Sequence, residues 1–167
     1  MKEKFIVAQP WIGLFARLIL GGVLFIAGYL KVSAPDKSQM AVRAYEMLPI
    51  SVANALGLIL PFAEVAIGAL LVLGALTKYM AALGGFTMII FIVAISQAWA
   101  RGLNIDCGCF GGGGAVAPGE TKYLQEILRD TGLALLAGYL IRYPVTKFAV
   151  DKTTVNKTVN KKTGDVA

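Results

Sequence analysis

Histidine is absent from this 167-residue chain, and cysteine occurs only twice. Without an imidazole the chain cannot form a Ser-His or Cys-His catalytic pair, nor bind a metal or haem through histidine. Charged residues are also scarce, at 16% of the chain, whereas 57% of the residues are hydrophobic. An average soluble domain carries about 25% charged residues. The composition therefore predicts a protein embedded in a lipid bilayer, with little chain outside it.

The net charge of +6 does not indicate a nucleic-acid partner. The lysines stand at the chain ends and in short segments beside long apolar runs. Basic residues at such places orient a protein in its membrane. We therefore expect the chain to contact the lipid bilayer and to bind no nucleic acid.

Four segments are apolar enough and long enough to cross a bilayer as helices. A hydrocarbon core about 30 Å thick requires about 20 helical residues. The first segment could instead be a cleavable signal peptide ending near Ala34, but its apolar region is too long and contains Arg17. We predict an all-α fold, a four-helix transmembrane bundle formed by residues 1–143. The predicted spans, of which the last is the least apolar, are 11–30, 52–76, 80–99 and 123–143.

Two segments outside the spans differ in character. Residues 31–49 mix charged and apolar side chains around Pro35 and Pro49. This pattern predicts a short amphipathic helix at the membrane interface, between the first two spans, that begins at the first proline and ends at the second. From Pro144 onward polar and basic residues predominate, and no core could form there. Residues 144–167 are therefore predicted to be a disordered basic tail.

The distribution of basic residues predicts the orientation. Four spans place both termini and the turn near Lys78 on one side, which carries nine Lys and Arg residues, and leave five on the other. Because the more basic side faces the cytoplasm, both termini are predicted to be cytoplasmic. The segment between the third and fourth spans then lies outside the cytoplasm, at the plasma (inner) membrane. The five residues on that outer side are Lys31, Lys37, Arg43, Arg101 and Lys122.

The two cysteines, Cys107 and Cys109, stand one residue apart in this outer segment. A structural disulfide this short would be strained and would constrain little of the unfolded chain. Two thiolates are too few for most metal sites, so no metal is predicted, although copper(I) accepts two thiolates and stays open. Thiol–disulfide exchange fits best, because a strained disulfide is readily reduced. The remaining interpretation is an inert pair of small loop residues.

The neighbours of the cysteines fit redox use. Gly108 gives the backbone the freedom to close a small ring. The negative charge of Asp106 should disfavour the Cys107 thiolate, which would make Cys109 the sulfur with the lower pKa.

Arg17, Glu64, Arg129 and Asp130 lie within predicted spans. Each would cost roughly 2.5–3.5 kcal/mol on insertion scales if unpaired, so we expect them to face the bundle interior, with Glu64 paired to either arginine. They could be structural salt bridges alone. Alternatively, Arg17, Glu64 and Arg129 form a polar pocket below the dithiol that binds a quinone head group or relays protons. No cofactor motif is recognisable, so the quinone is an expectation from mechanism.

Several motifs resemble the DoxX-like membrane proteins. They are Arg17 with Gly21-Gly22, the residues 27–31 (AGYLK), 45–49 (YEMLP), 61–64 (PFAE) and Gly68. The residues 106–111 (DCGCFG) are similar to the cysteine motif of the methylamine-utilisation MauE branch. The resemblance covers about residues 11–143.

The resemblance implies that Cys107 and Cys109 are a redox pair, with Arg17, Glu64 and Arg129 as supporting polar positions. Members of that branch are implicated in forming disulfides in an exported partner, the small subunit of methylamine dehydrogenase, and related proteins often accompany a thioredoxin-like protein. We therefore expect a membrane thiol-disulfide redox protein, an oxidoreductase if it is an enzyme, with an exported thiol protein as partner. The alternatives are a non-catalytic scaffold for a secreted redox protein and copper(I) handling.

Overall fold

The structure is a computed structural model that describes residues 2–109, 112–117 and 119–150. Within these ranges the fold consists of five helices and one two-stranded sheet. The helices are α1 (Lys2–Val32), α2 (Pro35–Ala44), α3 (Ile50–Leu73), α4 (Thr77–Ala100) and α5 (Tyr123–Arg142). The strands are β1 (Ile105–Asp106) and β2 (Gly114–Ala115), which lie between α4 and α5.

Three of these helices are long and apolar enough to cross a membrane: Gln9–Val32 within α1, Ile50–Leu73 and Thr77–Ala100. Their outer surfaces expose large apolar side chains, among them Phe15, Ile59 and Phe86. Such extensive apolar surface is typical of a protein that contacts lipid. The chain is therefore an all-helical membrane protein, and three predicted spans coincide with these helices. Helix α5 coincides with the fourth predicted segment, but it contains four charged residues and is not among the three.

Small residues allow α1 and α3 to pack closely. A Cβ atom at Gly28 would lie 2.7 Å from the Pro61 carbonyl oxygen, and one at Gly21 would lie 3.0 Å from the carbonyl oxygen of Gly68. Glycine at such contacts lets two helix backbones approach each other. Helix α4 packs mainly on α5, where a Cβ at Gly85 would lie 2.9 Å from the Ala137 Cβ. Leucines of α1, α3 and α5 fill the space between the two pairs: Leu20, Leu24, Leu71, Leu133 and Leu140.

Helix α2 begins at Pro35, where the sequence predicted its start. It ends at Ala44, earlier than the predicted end at Pro49, and Pro49 instead precedes the first turn of α3. The Ser38 hydroxyl donates a 2.7 Å hydrogen bond to the Gly57 carbonyl oxygen, which holds α2 against α3.

Residues 144–150 lie against α1, whereas the sequence predicted disorder from residue 144. Thr146 is fully buried, and the Lys147 amide donates to the Pro10 carbonyl oxygen at 3.2 Å. The reason is the buried Arg17 guanidinium, which donates to the Thr146 hydroxyl at 3.0 Å and to the Phe148 carbonyl oxygen at 3.4 Å. The rest of the predicted tail, residues 151–167, lies outside the described residues.

Candidate functional site

A short hairpin holds the cysteines at the end of the bundle. Strand β1 pairs antiparallel with β2, with Ile105 opposite Ala115 and Asp106 opposite Gly114. The Ile105 amide donates to the Tyr123 hydroxyl at 3.2 Å, and that hydroxyl donates to the Leu103 carbonyl oxygen. The hairpin is thus fastened to the first residue of α5.

Cys107 and Cys109 are free thiols whose sulfur atoms lie 2.7 Å apart. Each residue is only 8% exposed. The Cys109 amide donates to the Cys107 sulfur at 3.4 Å, and the Gly108 amide donates to Asp106 Oδ1 at 3.0 Å. The two sulfurs are therefore close enough for a sulfur–sulfur bond to form with little movement, and their use as a redox pair stays a prediction.

Gly108 is required for this geometry for two reasons. Its φ of 71° lies in the left-handed region, which favours glycine. A Cβ atom there would also overlap the Cβ of Ala41 on α2. The dithiol segment therefore packs directly against helix α2.

The two thiols differ in acidity. The hydrogen bond from Cys107 lowers the pKa of Cys109, and the Arg129 guanidinium lowers it further, although burial opposes both. The same hydrogen bond, together with burial, raises the pKa of Cys107. Cys109 therefore has the lower pKa of the two thiols, as the sequence argument predicted. The main cause of the difference is the contact between the two sulfurs rather than the charge of Asp106.

Tyr45, at the end of α2, also contacts the dithiol segment. Its hydroxyl donates to the Cys107 carbonyl oxygen at 3.3 Å. Burial raises the pKa of Tyr45, so the phenol stays a neutral hydrogen-bond donor. Its position joins α2 to the dithiol.

The intramembrane charges pair differently from the prediction. Among the described residues, Glu64 pairs with Lys31 where an arginine was predicted: Lys31 Nζ donates to its two carboxylate oxygens at 2.8 and 2.9 Å. The reason is the close approach of α1 and α3 at Gly28, because the residue one turn later on α1 then lies beside Glu64. Arg129 instead pairs with the adjacent Asp130 at 2.8 Å.

Arg17 does not belong to this group of charges. It lies fourteen residues before Lys31 on α1, a distance of about 21 Å along a helix. It contacts the segment after α5 at the opposite end of the bundle. The predicted polar set of Arg17, Glu64 and Arg129 is therefore divided between two places.

A small cavity of about 20 Å³ lies directly beneath the dithiol. Its polar lining comes from Lys31, Glu64, Cys109, Arg129 and Asp130. That volume accommodates about one water molecule. A polar pocket thus exists below the cysteines, but two of its charged residues, Lys31 and Asp130, were not among the predicted site residues.

Two much larger cavities meet at the dithiol. One, of about 810 Å³, is lined by loop residues, including Lys122, and by polar residues of α5, including Glu126 and Arg129. The other, of about 450 Å³, lies between α2, α3 and α4 and is lined mainly by apolar side chains. Cys107 and Cys109 line both. Among the described residues, the sulfur pair therefore separates a polar cavity from an apolar one.

One further group of donors surrounds Cys107. Its sulfur and a carboxylate oxygen from each of Asp106 and Glu126 lie within 4.8 Å of one another. One thiolate with two carboxylates is a mixed set, unlike the thiolate pair that copper(I) prefers.

Sequence reasoning missed Lys31, Tyr45 and Glu126 as site residues, and it placed Asp130 in the bundle interior without assigning it to the site. Lys31 follows an apolar run, and a lysine there is expected to reach the membrane surface. A signal was present in Gly28, one helical turn earlier, because glycine in a span marks a close helix contact.

These features define a class of protein: a helical membrane protein that holds a buried pair of free thiols at one end of its bundle. The family described as methylamine utilisation protein MauE matches residues 9–143. A curated relative, methylamine utilization protein MauE of Methylorubrum extorquens, is 34% identical over an alignment of 135 residues. The match covers 79% of this chain and 69% of that protein. The chain therefore belongs to the MauE family. No solved structure matches the chain.

Proposed function

We propose that this protein is a membrane thiol-disulfide redox protein that supports disulfide formation or electron transfer in an exported thiol protein. The observation that carries the proposal is the 2.7 Å separation of the Cys107 and Cys109 sulfurs beside a polar cavity. Two sulfurs at that distance can interconvert between dithiol and disulfide with little movement. An inert pair of loop residues would not need to lie so close together.

The difference in acidity gives the exchange a direction. When the pair is a disulfide, a partner thiolate attacks one sulfur and releases the other as a thiolate. The better leaving group is the sulfur with the lower pKa, so the partner attacks Cys107 and Cys109 leaves, beside the Arg129 guanidinium. The second partner thiolate then attacks the partner sulfur of the mixed disulfide. The partner gains one disulfide, and Cys107 and Cys109 take up the two protons that the partner thiols had lost, so that they are left as a dithiol.

The proposed architecture is a bundle of four spans, with α5 as the fourth. Helix α5 exposes Leu124, Leu128 and Leu135 on its outer face, while Asp130 is buried. This arrangement turns Asp130 inward and an apolar face outward, which suits a membrane helix that contains a charged residue. Helix α2 would lie at the interface, below the cysteine segment.

The proposed orientation places both termini in the cytoplasm and the dithiol outside, at the plasma membrane. Lys31 was counted on the outer side, but it is buried and paired with Glu64. Without it, four basic residues remain on that side, against nine on the other. The positive-inside rule then supports this orientation more strongly. Outside the cytoplasm a disulfide persists, as the function requires.

The partner is proposed from the family and from the polar cavity. The relative's name refers to methylamine utilization, and we propose that this chain serves that process by acting on an exported protein, thioredoxin-like or otherwise bearing thiols. The polar cavity beside Cys107 would admit a partner's cysteine segment. The residues that resemble DoxX-like proteins, Gly21, Gly28 and Gly68, lie at the contact of α1 and α3, which supports a shared bundle architecture.

The test is the redox state of exported proteins in cells that carry the double variant Cys107→Ser/Cys109→Ser. We expect the variant to reach the membrane, and the partner's cysteines to accumulate as thiols that react with a maleimide reagent. The wild-type chain on intact cells should react with an impermeant maleimide after reduction, because its dithiol faces outward.

Two outcomes would replace the proposal. If the double variant oxidises the partner normally and damage to α2 abolishes function, the protein is a scaffold for a secreted redox protein. If the purified chain holds one copper(I) per cysteine pair and never forms a disulfide, it handles copper. Matched expression of the wild-type and double-variant chains, measured in the membrane fraction, is the control for both.

A further inference from the structure

We propose that the apolar cavity between α2, α3 and α4 binds a membrane-soluble two-electron acceptor of the quinone class, which reoxidises the Cys107–Cys109 dithiol. The inference rests on the proposed function, because it supplies the acceptor for electrons that the dithiol has taken from a partner. It concerns a different surface from the polar cavity at which the partner would exchange thiols.

The cavity is placed where a lipid-soluble molecule could enter. Helix α3 packs mainly on α1, and α4 packs mainly on α5, so α3 and α4 contact each other much less, and residues of both line the cavity. Leu56, Ile89 and Ile90 line the opening and are themselves substantially exposed on the apolar outer surface. The volume of about 450 Å³ falls within the range of about 300–1,000 Å³ of small-molecule sites.

One end of the cavity is polar. Lys31, Tyr45 and both cysteines line it there. The Lys31 ammonium has three N–H donors, of which its bonds to Glu64 use two. The ammonium also lies 5.1 Å from the centroid of the Phe91 ring, and a ligand oxygen could accept from the third donor beside that ring. A quinone has an apolar tail and two carbonyl acceptors on a ring, and it matches an apolar cavity that ends in donors. A lipid acyl chain offers no acceptor to this ammonium.

The reaction balances without a further reagent. The S–H bonds of Cys107 and Cys109 break and one S–S bond forms, which releases two electrons and two protons. The quinone takes up both electrons, and its two carbonyl oxygens take up both protons, so that it becomes a hydroquinone. The thiol of Cys109 is the first of the two to lose its proton, and Cys109 lines the apolar cavity.

The position of the sulfurs keeps the two half-reactions apart. Because Cys107 and Cys109 line both cavities, the partner and the acceptor would approach the same pair from different sides. Neither would have to leave before the other entered.

The test uses the full chain, purified and reconstituted in nanodiscs of quinone-free lipid. The protein is reduced, freed of reductant without oxygen, and mixed with decylubiquinone; thiol loss is followed by maleimide labelling and hydroquinone by absorbance. We expect one hydroquinone per dithiol. Ala94→Phe, which places a ring in the cavity, should slow the reaction by about tenfold or more, because the acceptor loses its reacting position.

The matched control is Ala82→Phe, the same change at an exposed position of α4 that does not line the cavity. Its rate should stay within about twofold of the wild-type rate. Glutathione disulfide, which is water-soluble and would use the polar cavity, serves as the second oxidant. Ala94→Phe should react with it at the wild-type rate, which also shows that the variant is folded.

Each remaining outcome decides against one claim. If glutathione disulfide oxidises the wild-type dithiol and decylubiquinone does not, the acceptor site is refuted and the proposed function survives. The apolar cavity would then be occupied only by lipid. If neither oxidant reacts, the proposed function itself is refuted. Should Ala94→Phe fail to fold, a photoreactive azidoquinone on the unaltered chain decides: labels on α3 or α4 around the cavity support the site, and labels elsewhere overturn it.

Discussion

The ion pair between Lys31 and Glu64 offers the sharpest test of the packing. The two side chains are 8% and 1% exposed, and the shorter nitrogen–oxygen distance is 2.8 Å. Replacing one partner, in Glu64→Met or Lys31→Met, leaves a buried charge without its counter-charge. We expect each single variant to lose about 3–5 kcal/mol of unfolding free energy. The double variant removes both charges and should lie within about 1 kcal/mol of the wild type, or be more stable.

The assay is unfolding in detergent micelles by titration with a denaturing detergent, followed by tryptophan fluorescence. A matched control exists on the surface, where Arg101 and Glu46 form an ion pair at 3.1 Å with side chains 42% and 63% exposed. Because solvent screens that pair, Glu46→Gln should cost less than about 1 kcal/mol. The reasoning is refuted if Glu64→Met costs no more than Glu46→Gln. It is also refuted if the double variant loses the sum of the two single losses, since the charges would then be independent.

Three further predictions concern the dithiol and the far end of the bundle. Arg129→Gln removes a guanidinium that lowers the pKa of Cys109, so the pH midpoint for alkylation of that thiol by iodoacetamide, read by mass spectrometry, should rise. Gly108→Ala forces a side chain into the left-handed region and into α2, and should prevent reversible disulfide formation in a maleimide assay. Thr146→Val removes an acceptor from the buried Arg17 and should cost about 1–3 kcal/mol in the unfolding assay.

Each has a control on the same chain. Lys122→Gln, an exposed change in the polar cavity, should leave the pH midpoint in place; an equal rise would show that Arg129 has no special role. Gly102 has a φ of 68°, and a Cβ atom added there would meet no atom within 4 Å, so Gly102→Ala isolates backbone strain, and disulfide formation should persist. Thr131 is exposed, and an equal loss in Thr131→Val would contradict the role of the buried hydroxyl.

The sequence predicted the long helices well because hydrophobic length is a local property. The first three spans, the start of α2 at Pro35 and the cysteine pair all followed from short stretches of chain. The partner of Glu64 did not, because it depends on how α1 and α3 are rotated and how closely they approach at Gly28. From the sequence, an arginine within a span is a better candidate partner for Glu64 than a lysine at the end of a span. Helix packing instead buries Lys31 in the bundle beside Glu64.

The burial of Thr146 has a practical consequence for where the folded unit ends. The similarity to the family stops at residue 143, and a chain cut there would retain every helix described above. It would nevertheless deprive the guanidinium of Arg17 of two oxygen acceptors and uncover the first helix where residues 144–150 now cover it. The smallest piece that can be expressed as a stable protein should therefore extend through Val150, beyond the limit that homology alone would set.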